Sequence, residues 1–256
     1  MGLSVIAAAL ALVTPQHFLA AHQLADGSFA EPGGKPDVAL TAWAVLGLRS
    51  AHVQVDDAYI HAHEDELQTP TDLALGVLAE AQPSAPLVAK LQQTSTTGAL
   101  NATAWKLLAL STAGRPLPRV AVTYLLSHQS RSGGWSWAPG VAPDSNDTAA
   151  VVEALRAAKA GGRPIRRALA YLRRRETPGG GFELTPGRGS DAQSTAWAIQ
   201  AFVAAGARPP PAAFRYLARL RRSDGSYRYN ARYAVTPVWV TAQVLPALER
   251  RAFPLR

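Results

Sequence analysis

A chain of 256 residues, 48% apolar and 17% charged, can bury a large core and is too hydrophobic to be disordered. It contains no cysteine, which excludes disulfides, thiolate metal ligands and a cysteine nucleophile. The net charge of +8 is unevenly placed, with 4 Lys/Arg against 10 Asp/Glu in residues 1–114 and 22 against 8 in residues 115–256.

The chain opens on an apolar run, Leu3–Val13, too short to span a bilayer and without the basic start of a secretory signal. Thr14-Pro15 reads as an N-cap and first helical residue, so residues 1–14 are expected as an extra apolar helix and residues 15–256 as one domain. A cytoplasmic location follows as the expectation. Six segments then align on a threonine: Thr41, Thr71, Thr103, Thr148, Thr195 and Thr241 each begin an alanine-rich stretch that is apolar nearly all round. Such stretches are helices buried on most sides.

Ahead of most of these stretches lies a glycine–aromatic turn. Gln23…Gly27-Ser-Phe29, Gln129…Gly133-Gly-Trp135 and Glu176…Gly180-Gly-Phe182 share one spacing. Arg221…Gly225-Ser-Tyr227 keeps it with another first residue, and Gln93…Gly98-Ala-Leu100 is one residue longer. The second repeat, around Glu64–Thr69, lacks the turn. Glycine supplies the positive φ that ends a helix, and the aromatic pins the loop to the core. Before each turn comes an amphipathic segment: His17–Gln23, Asp56–Leu67, Leu87–Gln93, Val120–Gln129, Ile165–Arg175 and Ala212–Arg222. Tyr124, Tyr171 and Tyr216 hold matching positions in the last three. No stretch sustains the period-two alternation of a strand. A half-exposed helix followed by a buried one, six times over, predicts an all-α (α/α)6 toroid: a double ring of about twelve helices with the N-terminal helix added.

These turns, in register with six helical anchors over about residues 15–250, resemble the repeats of squalene–hopene cyclases and other class II terpene cyclases. The β-subunits of protein prenyltransferases share that toroid. The resemblance implies a hydrophobic cavity along the toroid axis that accepts an isoprenoid. Its closest local match is Pro143-Asp-Ser-Asn-Asp-Thr-Ala-Ala-Val-Val152. Class II cyclases carry Asp-x-Asp-Asp-Thr-Ala there, and the middle aspartic acid protonates the substrate. Here that position is Asn146, whose amide orients and hydrogen-bonds but delivers no proton at ordinary pH. Asp144 and Asp147 remain as acid candidates. The zinc set of protein prenyltransferases needs a cysteine this chain lacks, and the aspartate-rich magnesium motif of class I terpene synthases is absent. No metal or cofactor is expected.

Each candidate has a structural reading beside the functional one. Asp37 and Asp191 precede Thr41 and Thr195 by four residues, as Asp144 precedes Thr148, and this recurrence favours helix capping. Asp147 has no such counterpart. Trp43, Trp105 and Trp197 repeat two residues after the threonine, which favours packing between helices over lining a cavity. Trp135 and Trp137 flank the acidic turn and are expected to shape a pocket, with Tyr227, Tyr229 and Asp191 as further binding residues. Asp57, His61 and Asp65 share one helix face at spacing i, i+4, i+8, where a solvated charged face is favoured over a metal site. The arginine clusters at Arg163–Arg175 and Arg208–Arg222 suit a solvated outer face or peripheral contact with a membrane; nucleic acid is not an expected partner. The leading function is an isoprenoid-handling, terpene cyclase-like protein. The alternatives are a non-catalytic toroid binding a hydrophobic ligand or a protein, and an (α/α)6 carbohydrate-active enzyme using Asp147 and Asp191.

Overall fold

The computed structural model describes residues 13–95 and 97–255, so the helix expected over residues 1–14 falls almost entirely outside the described residues. Six helices form a closed inner ring: α2 (Val38–Ser50), α4 (Pro70–Ala79), α6 (Leu100–Thr112), α8 (Ser145–Ala157), α10 (Ala192–Ala204) and α12 (Pro237–Leu248). Each packs on the next, and α12 packs back on α2. Their alanines allow this crowding: Ala42, Ala104, Ala149, Ala196 and Ala247 are wholly buried. At the closing seam even a methyl group would be too much, because a Cβ on Gly47 would lie 2.8 Å from the carbonyl of Ala242.

The outer ring is made by α1 (Pro15–Ala20), α3 (Ala58–Ala62), α5 (Ala85–Gln93), α7 (Arg119–Ser127), α9 (Gly162–Arg173) and α11 (Pro211–Leu220). Each lays its apolar face on the inner ring. The protein is therefore an all-α (α/α)6 toroid. One outer element departs from expectation. Asp56–Leu67 is not a continuous helix but α3 followed by a single 3-10 turn, Glu64–Glu66. The only strands among the described residues, β1 (Phe182–Glu183) and β2 (Ser190–Asp191), form a two-residue antiparallel ladder in the loop before α10.

The coincidence of threonine and turn has a physical cause. The hydroxyls of Thr41, Thr148, Thr195 and Thr241 each accept the backbone N–H of the turn aromatic, Phe29, Trp135, Phe182 and Tyr227, at 2.9 Å. Thr41, Thr148 and Thr195 also donate to the carbonyl four residues back, so one buried hydroxyl ties a loop to an inner helix start. The turn glycine is dictated twice over. Gly133 has φ +97°, and a Cβ there would lie 2.6 Å from the carbonyl of Arg167 on α9. Gln129 completes the joint, its amide donating to the carbonyls of Gly133 (2.7 Å) and Pro164 (2.8 Å). The matched tyrosines lock the loops, with Tyr171 and Tyr216 donating to the carbonyls of Pro143 and Ser190 at 2.6 Å. In these four repeats the turn is thereby tied to the start of the inner helix.

Candidate functional site

The middle of the ring is filled. Trp43, Trp105 and Trp197 meet edge to face on the axis, with ring centroids 5.5, 5.6 and 6.1 Å apart. Phe253, from the segment after α12, closes the triangle from one side at 6.0–6.3 Å from all three. Its backbone N–H donates to Glu153, a fully buried carboxylate on α8 that burial holds well above its ordinary pKa. The tryptophans therefore both pack between helices and form a floor.

On the other side of that floor lies a cup of about 350 Å3, at the end of the toroid where the inner helices begin. Two register positions build most of it. Two residues after the threonine stand Trp43, Trp105, Ala150, Trp197 and Gln243; two before it stand Asn101, Asn146, Gln193 and Trp239. Residues four apart lie on one face of a helix, so both positions point inward at successive depths. The indole N–H of Trp197 and the amide of Gln193 both donate to the Gln243 side-chain oxygen at 3.0 Å, which fixes one wall. Asn101, Gln193, Gln243 and Trp239 were not singled out from sequence. The signal was present in the repeat register, although no local motif marked it.

The acidic turn enters the cup at the rim. Asp144 caps α8, its carboxylate accepting the Asp147 N–H at 2.8 Å. Its own N–H donates to the carbonyl of Trp135 at 3.0 Å, which sets the angle of the turn. Asn146 faces the cup, and its side-chain oxygen accepts from the Ser145 hydroxyl at 3.2 Å. Asp147 is 8% exposed and accepts a hydrogen bond from the Asn101 amide on α6. Burial, and then the hydrogen bond and negative charge of neighbouring Asp144, push its pKa up to about 8; the Asn101 amide pulls the other way. Burial and the neighbouring Asp144 thus favour the protonated form of the Asp147 carboxyl. Such a pair can hold a proton beside an apolar floor and pass it on.

Asp144, Asn146 and Asp147 come together, whereas the other expected binding residues do not line the cup. Trp135 is buried, and its indole N–H is satisfied by the carbonyl of Leu125 at 2.7 Å. The turn aromatic belongs to the wall between the two rings. Trp137 is 57% exposed, its ring left outside because the following loop turns away from the axis. Tyr227 is buried by the same wall geometry and lines a separate outer cleft with Phe214 and Arg221. Asp191 caps α10, accepting from the Ser194 N–H (2.7 Å) and hydroxyl (2.9 Å) and hydrogen-bonding Tyr229. Asp57, His61 and Asp65 do not converge as a trio: Asp57 and His61 line one cleft, in which Asp57 accepts from Arg49 (2.8 Å) and from the Ala81 N–H (2.6 Å), and Asp65 is exposed outside it. α9 and α11, which carry the arginine clusters, are consecutive outer helices against α10. Several of these arginines brace neighbouring loops: Arg167, Arg174 and Arg219 donate to carbonyls of Ser130, Ser132 and Gly179. No helix among the described residues is long and apolar enough to cross a membrane.

No family model and no curated protein matches this chain. Solved structures do. An ent-copalyl diphosphate synthase from Streptomyces platensis matches with a TM-score of 0.57 at 18% identity, over 85% of this chain and 52% of that one. The chain thus spans about half the length of that synthase. The type II terpene cyclase MstE from Scytonema matches with a TM-score of 0.50 at 16% identity, covering 92% and 95% of the two chains. A protein described as a glycosidase matches with a TM-score of 0.60 at 11% identity, over 92% and 94%. At these identities the likeness is one of fold, and the chain shares the α/α toroid of these proteins.

Proposed function

We propose that the protein binds a linear isoprenoid with its terminal alkene in the cup, and that Asp147 is the acid placed to protonate it. The observation that carries this reading is a buried carboxyl, Asp147, at the rim of a cup floored by three tryptophans, in surroundings that favour its protonated form. In the reaction, the alkene π electrons take the Asp147 proton and form a C–H bond, leaving a tertiary carbocation and the Asp147 carboxylate. The faces and edges of Trp43, Trp105 and Trp197 are the cation's nearest neighbours, and each cation–π contact is worth about 0.5–2 kcal/mol in a desolvated site. Attack by a second alkene and loss of a proton end the sequence. The cup is at the small end of ligand pockets, roughly 300–1,000 Å3. It suits a short isoprenoid or the leading end of a longer one.

A carboxyl of raised pKa is well populated as the acid but is a weak donor. General-acid groups contribute about 10²–10⁴-fold when well matched, so turnover at Asp147 should be slow. Asn146→Asp adds a carboxyl facing the cup with almost no change in volume. Incubating wild type and Asn146→Asp with squalene and with a prenyl diphosphate, followed by mass spectrometry, tests the reading. The expectation is weak cyclisation by the wild type, more by Asn146→Asp, and none by Asp147→Asn. Unchanged product yield in Asp147→Asn would remove Asp147 from the acid role.

A glycoside hydrolase reading has less support. Its two carboxyls should stand about 5–9.5 Å apart across the bond to be cleaved. The cup-lining carboxyls, Asp144 and Asp147, lie on one helical turn, and Asp191 is committed to its cap. Peripheral membrane contact through α9 and α11 extends the isoprenoid reading. Co-sedimentation with anionic vesicles at low salt, lost at high salt, is the outcome that supports it.

A further inference from the structure

The second repeat, without its glycine–aromatic turn, holds three side chains that the cup does not use. His61 lies in the last turn of α3, Glu64 opens the 3-10 turn, and Glu80 is the C-cap of α4. His61 Nδ1 lies 3.0 Å from Glu64 Oε1 and 3.6 Å from Glu80 Oε2. One ligand atom from each side chain fits within a 4.8 Å cluster. Glu80 is 4% exposed, and neither of its carboxylate oxygens has a hydrogen-bond partner. It also sits at the negative end of α4, where the helix dipole opposes an anion. A buried carboxylate so placed is costly unless a cation accompanies it.

Arg49, which shares a cleft with Glu80, is held by Asp57 at 2.8 Å and by the carbonyl of Ala79. We propose that His61, Glu64 and Glu80 bind one divalent transition-metal ion, with zinc the preferred metal. One imidazole nitrogen and two carboxylate oxygens are a borderline donor set that suits zinc, whereas calcium takes about 6–8 oxygens. Tetrahedral bonds of about 2.0–2.1 Å bring ligand atoms to roughly 3.3 Å apart, against 3.0 and 3.6 Å from His61 to the two glutamates and at most 4.8 Å within the cluster. The Ser84 hydroxyl donates to Glu64 Oε2 at 2.6 Å and orients that ligand from behind. A cleft of about 270 Å3 lined by Asp57, His61, Glu80, Ala81 and Gln82 leaves room for water at the fourth position. The ion would join the outer segment of this repeat to the C-terminal end of α4.

The test uses the untagged full chain after treatment with a chelator. Calorimetric titration with zinc chloride should give one site per chain and raise Tm by several degrees, and magnesium or calcium should leave Tm unchanged. Cobalt should bind at the same stoichiometry and give visible d–d absorption. Glu80→Gln, which keeps volume, and His61→Ala should each weaken zinc binding by at least ~10-fold while circular dichroism stays as in the wild type. An absence of stoichiometric zinc binding overturns the proposal and leaves His61 as an ordinary partner of two carboxylates. Binding that survives both substitutions overturns it as well, since the metal then sits elsewhere.

Discussion

Replacing Asp147 by asparagine should make the protein less sensitive to alkali. In the folded state this carboxyl titrates at about 8, against 3.8 for an exposed aspartate. Between those values the native state holds a proton that the unfolded state has lost, so stability falls as pH rises. The stabilisation is fully present below pH 3.8 and is lost as pH passes through about 8. The slope is up to about 1.4 kcal/mol per pH unit, or about 3 kcal/mol between pH 5 and 7.5. Asparagine reproduces the protonated form, since its oxygen can accept from Asn101 and its NH2 can donate to Asp144. Urea unfolding at half-unit steps from pH 5 to 8.5 should therefore show the variant gaining about 3 kcal/mol on the wild type between pH 5 and pH 8. Comparing the two proteins cancels the contributions of Glu80 and Glu153. Parallel pH profiles would refute the protonated Asp147, and with it the proton donor of the proposed reaction.

Two further substitutions test how the ring is held. Thr148→Val leaves the buried Trp135 N–H without its acceptor and should cost about 1–3 kcal/mol in urea unfolding, whereas Thr71→Val, in the repeat without a turn, should change stability by less than about 0.5 kcal/mol. Glu31 accepts the N–H groups of Val238 (3.0 Å) and Trp239 (2.8 Å) at the start of α12, across the seam of the ring. Glu31→Gln should lower stability by about 1 kcal/mol in low salt and by less in high salt, read as a change in urea midpoint.

Most of the architecture was legible because the repeat is a set of bonds between fixed positions. A threonine accepting the N–H of a turn aromatic recurs at a spacing of 12–14 residues, and the alternation of amphipathic and all-apolar helices follows from two concentric rings. The site was legible only where a motif marked it. Asp144, Asn146 and Asp147 stood out as a local string, and the structure brings all three to the cup. Trp135 and Trp137 were chosen for closeness in sequence, but the turn that joins them to Asp144 directs one ring into the wall and the other to solvent. The polar lining of Asn101, Gln193 and Gln243 comes from three different helices, and only the threonine register connects them. The grouping of His61 with Glu64 and Glu80 was hidden for a related reason. Glu80 lies beyond the far end of α4, and helical spacing suggested Asp57 and Asp65 where the helix in fact stops at Ala62.

The central claim, that the cup is an isoprenoid site, is tested most directly by equilibrium binding read through the tryptophans of its floor. Titrating farnesol into the wild type should quench or shift intrinsic fluorescence saturably at one site per chain, with a Kd on the order of micromolar, equivalent to about −8 kcal/mol. Asn146→Phe, which places a ring inside the cup, should abolish that signal while leaving Tm near the wild-type value, and an oligosaccharide of similar length should give no signal. Farnesol binding that is absent in the wild type, or unchanged by Asn146→Phe, would contradict the account.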